Sequence, residues 1–385
     1  MDNKRKIIST IKITLIFGIF LLFIKPAFAE LKEIKPKIIR RREIIEKTYE
    51  RKKEIDNKAK EYFLKGDESL YKNEYNEAIT YLEKAIQVDP DFVEAYINLG
   101  SAYGDLGNYQ KAIKYYQKAI QIDPNYASTY NNMAILYHSL NQLQKALSYY
   151  KKAIQVDPDF AKAYINLGSV YDDLGNYQKA IEYYQKAIQI DPMSADLYYN
   201  YGSFYINLGK YEKAITYLEK SIQLDPNIVD AYYNLGVAYR KISSYKKAIF
   251  NFEKTIQTDP NFFKAYNNLG IIYGKLGNHD KAISYFKKVI SMEPQSMEAY
   301  IRLANIYIKL ENYLKALTYS KKAYKIDPNN VTVYFALGSA CGGLRDYVSA
   351  KKYYQKAREL CEQQGNQECV ASTKKMEVMM ESRIK

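Results

Sequence analysis

The hydrophobic positions of this chain recur with a period of 34 residues. If position 1 of each unit is the third residue after a proline, apolar or small residues occupy positions 4, 7, 8 and 11 and then positions 20, 24 and 27. Spacings of three and four residues place each set on one face of a helix. The residue before a proline is biased away from the helical conformation, so the proline at position 32 ends the second helix. Each unit is therefore predicted to be a pair of antiparallel helices. The prolines that define the frame are Pro90, Pro124, Pro158, Pro192, Pro226, Pro260, Pro294 and Pro328.

The residues at these positions form a motif. The second unit has Tyr96, Leu99, Gly100 and Tyr103 at positions 4, 7, 8 and 11, and later units follow the same order. This order resembles the tetratricopeptide repeat, with Tyr where that pattern has Trp. Nine units fit, over residues 59–364. The resemblance implies an all-α superhelical solenoid of about nine helix-turn-helix repeats, because such hairpins bury their apolar faces only by stacking.

Three segments lie outside the repeats. Residues 1–29 combine a basic start, an apolar run and an Ala-Phe-Ala sequence, and are predicted to be a cleaved signal peptide or, alternatively, an uncleaved anchor through residues 7–24. A cleaved signal predicts that the repeats are exported, periplasmic or extracellular. An anchor predicts that they are held at the membrane outside the cytosol. Residues 30–58 are predicted to be a charged helical spacer, and membrane contact through residues 1–58 stays open. Residues 365–385 are predicted to be a capping helix.

The net charge of +14 is concentrated at the N-terminus. Residues 1–29 and residues 30–58 each carry +4, which leaves +6 for the remainder. A nucleic-acid-binding domain usually carries a basic stripe on its folded part. The charge therefore disfavours nucleic acid as a partner.

A row of asparagines is the first candidate binding site. Position 6 lies opposite the packing face and is Asn in six successive units. This row resembles the asparagine ladder in the repeat domain of O-linked N-acetylglucosamine transferases, a resemblance that does not extend to their catalytic domain. It implies that amides bond the main chain of an extended peptide in the concave groove. Inheritance by duplication is the alternative. The residues are Asn98, Asn132, Asn166, Asn200, Asn234 and Asn268.

Basic residues in the C-terminal half form the second candidate site, a clamp for an acidic ligand. Position 13 changes from acidic or polar residues in the earlier units to lysine in three later units. Cations there can hold a carboxylate through charge-assisted hydrogen bonds. The alternative is a solvated surface. The candidates are Arg240, Lys241, Lys275, Arg302 and Lys309.

Other chemistry is sparse in the sequence. Cys361 and Cys369 flank the predicted cap and could form a disulfide bond, whereas Cys341 occupies a packing position. Neither His138 nor His279 has metal-ligand spacing to another residue, and we expect no metal, cofactor or enzymatic activity.

The sequence therefore predicts a non-catalytic scaffold that binds extended protein segments at the cell envelope. The alternative is a substrate-recognition subunit of an envelope enzyme, a secretion machine or an assembly machine. Nucleic-acid binding is a third, disfavoured function.

Overall fold

A computed structural model describes residue 54 and residues 56–384. The signal or anchor predicted for residues 1–29 and most of the spacer predicted for residues 30–58 lie outside the described residues. Contacts divide the chain into two compact units, which meet in sequence at Ala163 and Tyr164. No helix in the described part has the length and apolarity needed to span a membrane.

Residues 56–384 form helices joined by short turns, without a strand. Helix α1 covers residues 56–71. The others are α2 (Tyr75–Val88), α3 (Val93–Asp105), α4 (Tyr109–Ile122), α5 (Ala127–Ser139), α6 (Leu143–Val156), α7 (Ala161–Asp173), α8 (Tyr177–Ile190), α9 (Ala195–Asn207), α10 (Tyr211–Leu224), α11 (Val229–Lys241), α12 (Tyr245–Thr258), α13 (Phe263–Lys275), α14 (His279–Met292), α15 (Met297–Lys309), α16 (Tyr313–Ile326), α17 (Val331–Gly343), α18 (Tyr347–Gln363) and α19 (Gln367–Ile384). Consecutive helices pack as hairpins, as the 34-residue period predicts.

The turn inside each hairpin has a left-handed residue at position 15. This residue is Gly in four repeats and Asn, Ser, Glu or Arg in five, with φ between 56° and 77° throughout. At Glu311, the main-chain N–H bonds to the Ile308 carbonyl and the N–H of Asn312 bonds to the Tyr307 carbonyl, at 3.0 and 2.8 Å. These bonds satisfy carbonyls at the helix end. The Asn312 side chain then accepts from the Lys315 N–H and caps the next helix.

Close packing inside seven of the nine hairpins involves a glycine at position 8, which is Ala134 or Ala304 in the other two. A methyl group on Gly236 would lie 2.7 Å from the Phe252 ring, and one on Gly100 would lie 2.5 Å from the Tyr116 ring. Phe252 and Tyr116 are buried. Glycine at position 8 therefore allows an aromatic ring at position 24 to lie directly on the first helix.

A second aromatic contact lies beside this core. In six repeats the tyrosines at positions 11 and 23 stack, with centroids 5.3–5.6 Å apart. The lysine at position 19 lies over the position-11 ring in seven repeats, at 4.6–5.4 Å. Such offset rings and cations each stabilise a contact by about 0.5–1.5 kcal/mol. The high tyrosine content is thus largely explained by packing.

The last helix covers the final hairpin, as predicted. Met380 is buried against Tyr354 and Cys341, and Arg358 forms an ion pair of 2.8 Å with Glu377. Cys361 and Cys369 are joined by a disulfide bond. Cys341 keeps a free thiol, and burial raises its pKa above the ordinary value. A second ion pair joins Lys351 and Glu381 at 3.4 Å, so helix α19 is attached by apolar packing, two ion pairs and a covalent bond.

Candidate peptide-binding groove

The amide row uses part of its hydrogen-bonding capacity within the first compact unit. Asn98 donates from Nδ2 to Oδ1 of Asp67 on the preceding first helix, at 3.0 Å. Oδ1 of Asn132 accepts from the side chain of Asn131, at 3.4 Å. Asn98 and Asn132 are both half-buried. The bond to Asp67 ties two successive first helices together.

Three asparagines of the second unit also donate internally. Nδ2 of Asn234 bonds Oγ of Ser203 at 2.9 Å, and Nδ2 of Asn200 bonds its own helix through the Asp196 carbonyl at 2.7 Å. Nδ2 of Asn268 bonds the Lys264 carbonyl at 2.9 Å. Of these three bonds, only the one from Asn234 joins two repeats, and contact of the row with a peptide stays a prediction.

Asn268 makes one further bond, to a tyrosine of the preceding repeat. Its Nδ2 lies 3.4 Å from the hydroxyl of Tyr233. Burial raises the pKa of that phenol, while the bond from Asn268 and the charge of Arg240 oppose the shift. Asn166 lies half-buried on α7.

Three of the five clamp candidates line one cavity. Lys275 at the end of α13, and Arg302 and Lys309 on α15, border a space of about 420 Å³. This volume falls within the roughly 300–1,000 Å³ typical of ligand pockets. Three of the clamp candidates therefore lie at one cavity on consecutive first helices, with Ile271 and Ile308 on its walls, and binding of an acidic ligand there stays a prediction.

The cations of this cavity differ in their surroundings. Arg302 already forms an exposed ion pair with Glu298 of its own helix, at 3.1 Å. Within the described part of the chain, no carboxylate lies within salt-bridge distance of Lys275 or Lys309. Exposed pairs such as Arg302–Glu298 are worth about 0–1 kcal/mol, so an incoming carboxylate can compete with Glu298.

Three polar residues of the cavity, His279, Asn305 and Ser339, were not among the sequence candidates. His279 begins α14, and its Nδ1 is buried without a hydrogen-bond partner. Asn305 is exposed on α15 between Arg302 and Lys309. A signal for His279 exists in the sequence, because position 17 is Tyr in seven of the nine repeats.

Arg240 and Lys241 lie one repeat earlier and do not line this cavity. The Nε of Arg240 is buried without a partner, and Lys241 is exposed at the end of α11. A clamp formed by all five candidates is therefore not one pocket. Its compact part is Lys275, Arg302 and Lys309.

Family models match most of the chain. Models described as tetratricopeptide repeat match residues 91–159, 161–194, 183–216, 229–262, 263–296 and 295–363, and a model described as TPR repeat matches residues 66–107 and 202–243. The chain belongs to the tetratricopeptide-repeat family. A comparison of this TPR protein with curated protein sequences gives no match.

Solved structures with similar folds include other TPR proteins. The chain aligns with the APC/C hetero-tetramer Cut9–Hcn1 at 21% identity and a TM-score of 0.55, covering 72% of this chain and 55% of the other. It aligns with PilW, described as a type IV pilus biogenesis factor, at 23% identity and a TM-score of 0.51, covering 55% and 98%. YrrB, described as a TPR protein with an unusual peptide-binding site, aligns at 30% identity and a TM-score of 0.40, covering 48% and 95%. The first two matches support the fold.

Proposed function

We propose that this TPR protein is a protein-interaction scaffold that holds an acidic peptide segment at the cavity formed by Lys275, Arg302 and Lys309. TPR proteins bind other proteins or peptides and generally act as non-catalytic scaffolds. The observation that carries the finer proposal is the grouping of three cations from consecutive first helices around one cavity.

Charge and shape together favour a carboxylate-bearing segment. Lys275 and Lys309 offer ammonium groups, and Arg302 offers a planar guanidinium that can bind a carboxylate through two hydrogen bonds. Ile271 and Ile308 supply apolar walls for the stems of Asp or Glu side chains. Asn305 adds an amide that can bond the peptide main chain.

The asparagine row could add hydrogen bonds to the main chain of the bound segment, but the proposal does not depend on it. An amide side chain can both donate and accept hydrogen bonds, and an extended peptide has both donors and acceptors. Because several Nδ2 atoms already bond within the protein, peptide bonds to the row would replace existing ones. We therefore expect the row to contribute less to affinity than the clamp.

Calorimetry with a peptide of Asp and Glu residues tests the clamp. Lys275→Glu and Lys309→Glu should each weaken binding about tenfold or more, since a hydrogen bond to a charged group contributes about 1.5–3 kcal/mol. Lys241→Glu is the matched control, because Lys241 has the same repeat position outside the cavity. Lys275→Glu and Lys309→Glu should also make the affinity for the peptide less dependent on salt concentration. Equal losses in all three variants would point to general surface charge and refute the clamp.

We also propose that the scaffold acts at the cell envelope, exported or anchored through residues 1–29. The support is the basic start of this segment, its apolar run and its Ala-Phe-Ala sequence. Fractionation and N-terminal sequencing of the mature protein test the location. A cleaved signal gives Glu30 as the first residue, an anchor gives an intact chain in the membrane, and an intact chain in the cytosol refutes the proposal.

A further inference from the structure

One repeat departs from the tyrosine pattern of the second helices. Position 23 is Tyr in eight repeats, and in the sixth repeat it is Asn251. The residue before it, Phe250, is also unusual, because position 22 is Thr, Ser, Lys or Glu in the other repeats. The sixth repeat therefore lacks a ring where the others have one and carries a ring where the others have a polar side chain.

Elsewhere the position-23 ring occupies a defined site. It stacks on the position-11 tyrosine of the same hairpin and lies 6.2–6.4 Å from the position-4 tyrosine in six repeats. In the next repeat, for example, Tyr285 lies 5.6 Å from Tyr273 at an interplanar angle of 13°. In these hairpins the second helix supplies a ring beside the position-4 tyrosine, and smaller spaces of about 430 and 360 Å³ remain beside the rings of Tyr115 and Tyr353.

In the sixth repeat that site is a cavity. A space of about 550 Å³ is lined by Tyr232 and Tyr239, the position-4 and position-11 tyrosines, together with Leu235 and Asn251. Asn251 is 5% exposed and donates from Nδ2 to the Lys247 carbonyl of its own helix, so its side chain does not replace the ring. Phe250 does not fill the space either, because it borders the cavity and is 56% exposed.

The rim of the cavity is basic. Lys246, Lys247 and Lys254 line it, and the one acidic lining residue, Glu219, already accepts a hydrogen bond from the Tyr239 hydroxyl at 2.5 Å. In the described part of the chain, none of the three lysines forms a salt bridge. An aromatic group entering the cavity would therefore meet ring faces inside and ammonium groups at the entrance.

We propose that this cavity is a second binding site, which takes an aromatic side chain flanked by acidic residues from a partner protein. The ring occupies the place of the missing tyrosine, between Tyr239 and Tyr232, and covers the exposed face of Phe250. Flanking carboxylates pair with Lys246 and Lys254. The cavity is lined by positions 4, 7 and 11 of α11, opposite the face that carries the asparagine row, so it is separate from the groove.

A fluorescent peptide tests the site, because the protein contains no tryptophan. The probe is acetyl-Glu-Asp-Trp-Asp-Glu-amide. The protein is the full chain carrying Lys275→Glu and Lys309→Glu, which replaces two of the three clamp cations by carboxylates. Tryptophan emission should shift to the blue and saturate as protein is added. In the same background, Asn251→Tyr should weaken binding at least tenfold by filling the cavity, and Phe250→Ala should weaken it severalfold.

Matched controls separate the cavity from the general surface. Thr258→Tyr places the same ring at the exposed end of the same helix, outside the cavity lining, and should bind as the background does. A peptide with Ala in place of Trp, followed by calorimetry, should bind at least tenfold more weakly. Circular dichroism should show Asn251→Tyr folded, since the other eight repeats contain this tyrosine. The proposal would be overturned by an absence of saturable binding, by unchanged affinity with Asn251→Tyr, or by equal affinity for the Ala peptide. None of these outcomes would affect the proposal for the clamp at Lys275, Arg302 and Lys309.

Discussion

Replacement of Glu311 by glycine tests how the hairpin turns are stabilised. Glu311 is exposed at position 15, with a φ of 56°. The left-handed conformation costs an L-residue about 1–2 kcal/mol. Glycine adopts it without that cost, but it loses about 0.5–1 kcal/mol more conformational entropy on folding. The difference predicts that Glu311→Gly stabilises the protein by about 0.5–1 kcal/mol.

The reverse substitution provides the comparison. Gly277 holds the same position one repeat earlier with a φ of 77°, and no heavy atom lies within 4 Å of an added methyl group. Gly277→Ala should therefore destabilise the protein by about 1 kcal/mol through backbone strain alone. Urea unfolding followed by circular dichroism measures both, as midpoint shifts of opposite sign with an unchanged slope. A lower midpoint for Glu311→Gly, or shifts in the same direction, would refute the reasoning.

Four further results are expected. Alkylation should label Cys361 and Cys369 only after reduction, which gives a mass difference between reduced and unreduced samples. The variant with Ser at both positions should lose about 2–3 kcal/mol of unfolding free energy, because the bond closes a loop with a sequence separation of 8 residues. Labelling of both thiols without reductant would contradict the bond. Gly100→Ala should cost about 1–3 kcal/mol of stability by overpacking against the Tyr116 ring, and an unchanged melting temperature would show that the ring moves aside. Burial raises the pKa of Tyr116 to about 12, so its phenol ionises first in the unfolded chain and stability falls between about pH 10 and 12; Tyr116→Phe should make this fall less steep, and identical pH curves would count against it. Asn234→Ala should cost about 0.5–1.5 kcal/mol of unfolding free energy through the lost bond to the preceding repeat, whereas no change would show that the bond is energetically neutral.

The regular parts of the fold were accessible from the sequence because they depend on periodicity. Spacings of three and four residues predicted both helices of each hairpin, and a glycine at position 15, present in four repeats, favours the left-handed turn observed there. The same turn at Ser243, Glu311 and Arg345 was not predicted from those residues, because packing of the flanking helices imposes a conformation that their local preference opposes. Tertiary context overrides local preference there.

The candidate sites were only partly predictable. Lys275 and Lys309 are 34 residues apart and line one cavity, since equivalent residues of stacked hairpins are neighbours. The sequence did not reveal that Arg302 pairs with Glu298, or that Asn234 donates to Ser203, because those contacts depend on side-chain rotamers. The sequence does show that Asn251 stands where the other eight repeats have Tyr at position 23. That this difference coincides with a cavity could be recognised only from the ring stacking in the other repeats.

The covalently attached terminal helix has a consequence for self-association. Near-identical hairpins expose, at an uncovered end, the same apolar surface that each one offers to its neighbour. Two molecules could then join head to tail and continue as a fibre. Because Met380 and the rest of α19 occupy that surface after the ninth hairpin, addition of another copy at this end is blocked. The disulfide bond between Cys361 and Cys369 thus helps to hold α19 over a surface that would otherwise be open to another copy.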